Sequence, residues 1–432
     1  MATLSPLLKQ ATPLVATRGE GVWLYDESGQ PHLDFTAGIG VTSTGHCHPR
    51  VVAAAQEQVG QLIHGQYTTI MHQPLLTLSE RLSEVLPAGL DSVFFSNSGS
   101  EAAEAALRLA RQATGRPNIV VFQGGFHGRT VAAASMTTSG TKFRAGFSPL
   151  MSGVMVSPFP NPSHYREYGW DQEQATDFAL RELDLLLQTQ SSPADTAAFM
   201  VEPVLGEGGY VPGNERFFAG LRERADRHGI LLIIDEVQTG FGRTGRFWGH
   251  DHFSPAGGPA LADIMMFAKG IASGFPISGI AASSELMAKA WPGSQGGTYG
   301  ANAVACAAAV ATLDVIAEEK LVENSAARGE QLRAGLRHVA STVNEAVGTA
   351  RIAEVRGLGL MVGNEFRDAD GAPDPATAMA AQQEAARRGL LLLICGSWGE
   401  VVRFIPALVV SESEVDQAVA LWSEAVTAVV AG

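Results

Sequence analysis

The chain predicts an α/β fold with a mostly parallel sheet covered on both faces. Short apolar runs bounded by turn residues recur through the middle of the sequence and have the length of buried strands. Helical patterns separate several of them, as a strand and crossover-helix alternation requires. The composition, 46% hydrophobic with 17% charged residues, supplies enough apolar side chain for both faces of such a sheet. At 432 residues the chain exceeds the usual size of one compact domain, so at least two cores are expected.

In chain order the strands are SVFFS (92–96), IVVF (119–122), AAFMV (197–201), ILLIID (230–235), IMMFA (264–268) and ISGIAA (277–282). EAAEAALRLARQA (101–113) and ERFFAGLRERADRHG (215–229) are helical patterns between them. In sheets of this kind ligands bind at the carboxyl ends of the strands. Residues 1–50 read as an N-terminal segment and 51–324 as the large domain. After Asn302 the pattern changes to an Ala-rich helix, then to AEVRGLGLMVGNEF (353–366) and VVRFIPALVV (401–410), short strands mixed with helices. This predicts a smaller α+β C-terminal domain over 325–432. EFRDADGAPDPA (365–376) is polar and turn-rich and predicts an exposed loop.

A formal charge of -14 without clustered Lys and Arg argues against nucleic acid and anionic membrane surfaces as partners. Small anionic substrates stay open, because one or two buried arginines hold a carboxylate whatever the total charge. Cys47, Cys306 and Cys395 are far apart and form no C-x-x-C pair, so neither a disulfide framework nor a metal site is indicated. A reducing cytoplasm fits that usage. The first twenty residues lack a charged stretch followed by an apolar core, and no apolar run approaches the ~20 residues of a membrane span.

Only five lysines occur, Lys9, Lys142, Lys269, Lys289 and Lys320. Four lie in helical, terminal or loop contexts that read as solvated. Lys269 ends the run IMMFA and begins KGIASGFP, so it should project from a strand's carboxyl end into a Gly-rich turn. Desolvation there lowers an amine's pKa and makes it nucleophilic. Taken alone it reads equally as a strand-end lysine reaching the surface.

Asp235 ends the most apolar strand, where a carboxylate is costly unless it meets a cation. A protonated pyridine nitrogen would be one such cation; capping of a turn is the alternative. Gly240, Gly242 and Gly245 spell G-x-G-x-x-G with Asp263 beyond them. The intervening RFWGHDHFSPAGGPALAD (246–263) cannot be the helix that a dinucleotide site needs. A phosphate is better placed at SNSGSEA, where a strand runs into Asn97-Ser98-Gly99-Ser100 and a strong helix, and Ser98-x-x-Glu101 fits a capping box. Free amides of Gly99 and Ser100 would bind the anion there; a well-capped helix with no ligand has the same signature.

Together these pieces resemble the class III aminotransferases of pyridoxal-phosphate fold type I, most closely the 4-aminobutyrate aminotransferase branch. The resemblance spans nearly the whole chain: DFTAGIGVTSTGHCHP (34–49), SNSGSEA (96–102), FHGRT (126–130), EPVLGEGG (202–209), DEVQTGFGRTG (235–245), the Lys269 segment, GGTYGANAVACAAA (296–309) and VVRFIPAL (401–408). It implies a large domain with a mostly parallel seven-stranded sheet. It also implies pyridoxal 5'-phosphate carried as a Schiff base on Lys269, with Asp235 at the ring nitrogen, Phe126 and Val237 on the two ring faces and Gln238 near the ring hydroxyl. Glu202 would be a polar residue near the ring. Thr298 would reach the phosphate in the neighbouring subunit, which implies a homodimer with shared sites.

The same resemblance implies exchange of an amino group between an ω-amino acid donor and a 2-oxo acid. Arg129 would grip the carboxylate far from the reacting amine and Arg403 the α-carboxylate of glutamate or 2-oxoglutarate. Glu207 would pair with Arg403 when 4-aminobutyrate leaves it bare, or else the two form a permanent buried pair. Ile39 stands where ornithine-type relatives place a tyrosine, which tilts the donor toward 4-aminobutyrate. Leu205, Glu400 and Ala407 depart from the commoner Gln, Asn and Pro and leave substrate length open. An acetylornithine, ornithine or other ω-amine transaminase, a racemase of the same fold and a non-catalytic binding protein are the competing readings.

Overall fold

The computed structural model describes residues 4–254 and 261–430. Its centre is a seven-stranded sheet in the spatial order Ser92–Ser96, Ser278–Ala282, Ile264–Phe267, Leu231–Asp235, Thr196–Val201, Asn118–Phe122 and Val154–Ser157. The sequence-predicted strands are present within a residue or so at each end. Val154–Ser157 was not anticipated. It is a partly exposed edge strand of four residues, too short for an apolar period to stand out.

Six of these strands run parallel, and Ser278–Ala282 is antiparallel to both neighbours. The reason is length. A parallel return needs a crossover of a dozen or more residues, and only 268–277 separates this strand from Ile264–Phe267. That short connection carries Lys269, so the lysine is held in a tight turn.

The helix Gly99–Thr114 packs an alanine-rich face, Ala102, Ala103, Ala106 and Ala110, against the sheet. Ser98 caps its start and left-handed Gly115 (φ 68°) ends it. Small side chains let this helix lie close to the strands, which fixes where its first turn points.

The helix Leu321–Val347 begins after Lys320 and runs across residue 325, so one continuous helix links the large sheet to the C-terminal elements. There, Ile352–Leu358, Met361–Phe366, Val401–Phe404 and Leu393–Cys395 form a four-stranded antiparallel sheet. The helices Leu321–Val347, Pro375–Arg387 and Glu412–Val430 pack on it. The N-terminal strands Ala16–Glu20, Trp23–Asp26 and Pro31–Asp34 join Leu390–Leu391 in a separate sheet, tying the start of the chain to its end.

The loop expected over 365–376 begins later. Glu365 and Phe366 are buried strand residues, because Arg356 and Arg367 neutralise Glu365 and Trp422 packs against Phe366. Within the G-x-G-x-x-G segment, Gly240 packs on Trp248 and Gly245 on Ala326. Asp263 accepts from Leu232 N (2.7 Å) and Arg222 (2.8 Å), a structural duty that ties a helix to the sheet. Of 246–263, residues 255–260 lie outside the described residues. Among the described residues no helix is long and apolar enough to cross a membrane, and there is no cluster of metal ligands.

The long helix crosses the 358–361 turn at Gly329, where an added Cβ would lie 2.1 Å from Gly359 O. A backbone neighbour cannot move aside as a side chain does. Gly329→Ala should therefore cost about 1–3 kcal/mol, read as a lower urea midpoint at unchanged slope. Gly60→Ala, in the helix Pro49–Gln61 with nothing within 4 Å, should leave the midpoint unchanged or raise it.

Candidate active site

At the carboxyl edge of the large sheet lies a cavity of about 300 Å³. It brings together Gly99, Ser100, Phe126, Glu202, Glu207, Asp235, Val237, Gln238 and Lys269, drawn from six separate stretches of the chain. Arg403 adjoins it through Glu207. Ile39, Arg129 and Thr298 are exposed and are not among its walls.

The cavity floor contains the first turn of the helix Gly99–Thr114. The capping differs from the expected box in one useful detail. Glu101 N donates to Ser98 Oγ (3.3 Å), but the Glu101 carboxylate takes Asn97 N (3.0 Å) rather than the amide of the capping residue. The amides of Gly99 and Ser100 therefore keep no hydrogen bond among the described residues. A Cβ at Gly99 would lie 3.0 Å from Val237 Cγ1, and one at Gly128 would lie 2.3 Å from Ser100 Oγ. Both glycines let Val237 and Ser100 pack closely around the helix start, whose unbonded amides lie at the positive end of the helix dipole.

Asp235 ends its strand almost fully buried. Its Oδ1 accepts Val237 N (3.0 Å) and its Oδ2 faces His127 Nδ1 at 2.7 Å. Burial pushes His127 down, but the hydrogen bond and charge of Asp235 outweigh it and the imidazole ends above its ordinary value. His127 lies inside the FHGRT motif and was not singled out from sequence. Only the fold brings it to Asp235, although a histidine beside a Gly in a strand-end loop was the available signal. Its Nε2 is buried and without a partner.

Glu202 accepts Phe126 N (2.8 Å) on one oxygen and Gly206 N (2.9 Å) on the other. Burial, helped by the nearby charge of Asp235, pushes its carboxyl up to about 7. Gln238 is buried beside it with Oε1 unpartnered. Phe126 sets its ring edge-on to Phe143, with centroids 5.1 Å apart. Arg129 lies over the same Phe143 ring at 4.9 Å, one aromatic ring away from the cavity wall.

Lys269 adopts a left-handed backbone (φ 42°), uncommon for a residue with a side chain and typical of constrained sites. Burial pulls its amine down to about 8, against the opposing charge of Glu207. Glu207 and Arg403 form an ion pair at 2.5 Å. Burial alone would raise the Glu207 carboxyl, but Arg403 holds it below its usual range. Burial likewise works against the Arg403 charge, and Glu207 more than restores it.

An amine lowered to about 8 is half neutral at that pH, while retaining the reach of a lysine. In ligand-free protein at pH 8, cyanate should carbamylate Lys269 faster than exposed Lys9, Lys142, Lys289 or Lys320. Peptide mapping by mass spectrometry ranks the five rates. Slowest labelling of Lys269 would contradict its depressed basicity.

A family model described as aminotransferase class-III matches residues 7–426. The chain is 37% identical over 418 residues to the 5-aminovalerate aminotransferase DavT of Pseudomonas aeruginosa, covering 96% of this chain and 94% of that protein. It is 34% identical over 418 residues to the 4-aminobutyrate aminotransferase GabT of Escherichia coli, with the same coverage of 96% and 94%. The solved ornithine aminotransferase of Toxoplasma gondii, which shows partial occupancy of PLP at its active site, superposes with a TM-score of 0.84 at 29% identity. That match covers 98% of this chain and 92% of the other. A match along nearly the whole chain, on a fold that holds pyridoxal phosphate in a solved relative, makes this protein a member of the class III aminotransferase family with pyridoxal phosphate as its cofactor.

Proposed function

We propose that the protein transfers the amino group of an ω-amino acid, 4-aminobutyrate or a close homologue, to 2-oxoglutarate, giving the semialdehyde and glutamate. The observation that carries this is the Glu207–Arg403 pair, closed beside Lys269. A site that must accept glutamate needs a cation for the α-carboxylate. The same site with 4-aminobutyrate must neutralise that cation, because a bare buried charge is expensive. Glu207 does so here. The names of the relatives DavT and GabT support the substrate class.

The residues fit the cofactor. The free amides of Gly99 and Ser100 would hold its phosphate at the helix start. Asp235, steadied by His127 and Val237 N, would hold a proton on the ring nitrogen. Phe126 and Val237 would face the ring, with Gln238 and Glu202 beside it. Bound pyridoxal phosphate supplies an electron sink that makes a proton on the substrate's amine-bearing carbon acidic. Lys269 would hold the cofactor, and its amine, of lowered basicity, would take that proton and return it.

Arg129 would bind the carboxylate far from the reacting amine, a bidentate task for guanidinium. Ile39 offers no polar partner to a second amino group, which favours 4-aminobutyrate over ornithine. Thr298, exposed on its own chain, would serve the neighbouring subunit's phosphate in a homodimer. The free thiols Cys47, Cys306 and Cys395 suit a reducing cytoplasm. A donor panel of 4-aminobutyrate, 5-aminovalerate and ornithine, run with 2-oxoglutarate and with pyruvate, tests the substrate assignment.

The two arginines should separate the half-reactions. Arg403→Ala removes the α-carboxylate site, so turnover with glutamate should lose about 2–5 kcal/mol of transition-state stabilisation, more than tenfold in rate. The half-reaction with 4-aminobutyrate should suffer less. Arg129→Ala should impair both. Single-turnover absorbance of the cofactor with each substrate gives the comparison, and equal losses for Arg403→Ala would leave Glu207 and Arg403 as a structural pair.

Shared sites make a second prediction. Lys269→Ala and Thr298→Val subunits, each inactive or nearly so, should regain activity when mixed dimers form. Absence of recovery in verified heterodimers would mean that each site is complete within one chain.

A further inference from the structure

The turn that carries Glu207 is seated on the C-terminal sheet by contacts that neither the cofactor nor the substrate explains. Arg356, Gly363 and Arg403 lie opposite one another on three adjacent strands, in one row across that sheet. The middle position has no side chain. A Cβ at Gly363 would lie 2.9 Å from Val401 Cγ1, 3.4 Å from Tyr210 Cβ and 3.5 Å from Gly209 O. The backbone of Gly209 and Tyr210 therefore fits into the groove that Gly363 leaves.

The two arginines then grip the same turn from opposite sides. Arg356 donates from Nε to Gly209 O at 2.9 Å, while Arg403 binds the Glu207 carboxylate at 2.5 Å. Arg356 is itself immobilised. Its Nη1 donates to Glu354 (2.9 Å) and Glu365 (2.5 Å), and Glu365 is further held by Arg367 (2.7 Å) and Ser163 Oγ (2.7 Å). Gly396 N donates to Glu207 O at 2.9 Å, and Gly209 N closes the turn onto Gly206 O at 3.2 Å. Left-handed Tyr210 (φ 54°) follows directly. Every backbone anchor of Glu207 is thus in place, and only its side chain is free to leave Arg403.

We propose that Arg356 is a positioning residue that sets the amino-acid selectivity of this site by clamping the Glu207 turn against Arg403. This rests on the switching reading of the Glu207–Arg403 pair given above. Glutamate must displace Glu207 before its α-carboxylate reaches Arg403, so the stability of the pair is subtracted from glutamate binding. A clamped turn strengthens the pair and favours substrates with no α-carboxylate. A loosened turn leaves Arg403 open more of the time.

The test uses full-length, cofactor-loaded enzyme and single-turnover absorbance with glutamate and with 4-aminobutyrate. Arg356→Met removes the clamp and keeps the volume; Gly363→Ala keeps every charge and crowds the turn from below. Both should lower the half-saturating glutamate concentration about fivefold relative to that of 4-aminobutyrate, a coupling of ordinary size for residues in one network. Maximal rates should stay within about twofold of wild type. Equal changes for both substrates, a fall in maximal rates alone, a silent Gly363→Ala beside an active Arg356→Met, or loss of cofactor loading in both variants would each overturn the proposal. Arg403→Ala, run alongside, judges the switching reading separately: if it fails to discriminate between the substrates, that reading falls whatever Arg356 does.

Discussion

Charge cannot be left unmatched at the buried carboxyl edge of an apolar sheet, and the organisation of the cleft follows from that constraint. Leu232, Ile233 and Ile234 put Asp235 at the end of a strand with no water-facing side. The carboxylate is tolerable because His127 and Val237 N meet it. Glu207 and Arg403 are each deeply placed and meet one another. Removing either member of such a pair is more damaging than never having had it, since the survivor keeps its desolvation cost. Such a pair opens at low cost only to a group that brings its own charge.

The same low-polarity setting gives the cleft its reactive amine. Lys269 sits in a connection too short for a crossover helix, so the next strand reverses, and the lysine itself takes a left-handed backbone at the start of a single 3-10 turn. The amine is thereby kept among apolar strand ends, where burial lowers its basicity toward neutrality. Beside it, the alanine-faced helix approaches closely enough to bring its unbonded first amides to the cavity. Topology, reactivity and anion binding are consequences of one packing arrangement.

Two layers support the charged residues. The inner one is the cleft, where Glu202 accepts two backbone amides and so ties the Phe126 and Gly206 loops together. The outer one is the buried Arg356, Glu365 and Arg367 cluster in the C-terminal sheet, which anchors the turn of Glu207. The large sheet therefore presents Asp235 to the cleft, and the small sheet presents Arg403 to Glu207 at its side.

Read alone, the sequence determines the α/β class, six strands of the large sheet, and the strand-end placement of Lys269 and Asp235. These follow from local signals: apolar runs of strand length, a capped helix start, and charged residues at the ends of apolar runs. The motif order adds the family. What it does not contain is the reversed direction of Ser278–Ala282, the short edge strand Val154–Ser157, the meeting of His127 with Asp235, or the row Arg356, Gly363 and Arg403. The polar stretch after Glu365 looked like a solvated loop because its partners, Arg356 on a neighbouring strand and Ser163 about 200 residues away, are invisible to local pattern. Hydrophobic periodicity reports which side of an element is buried. Which charges meet there depends on contacts distant along the chain, and only the assembled tertiary structure decides them.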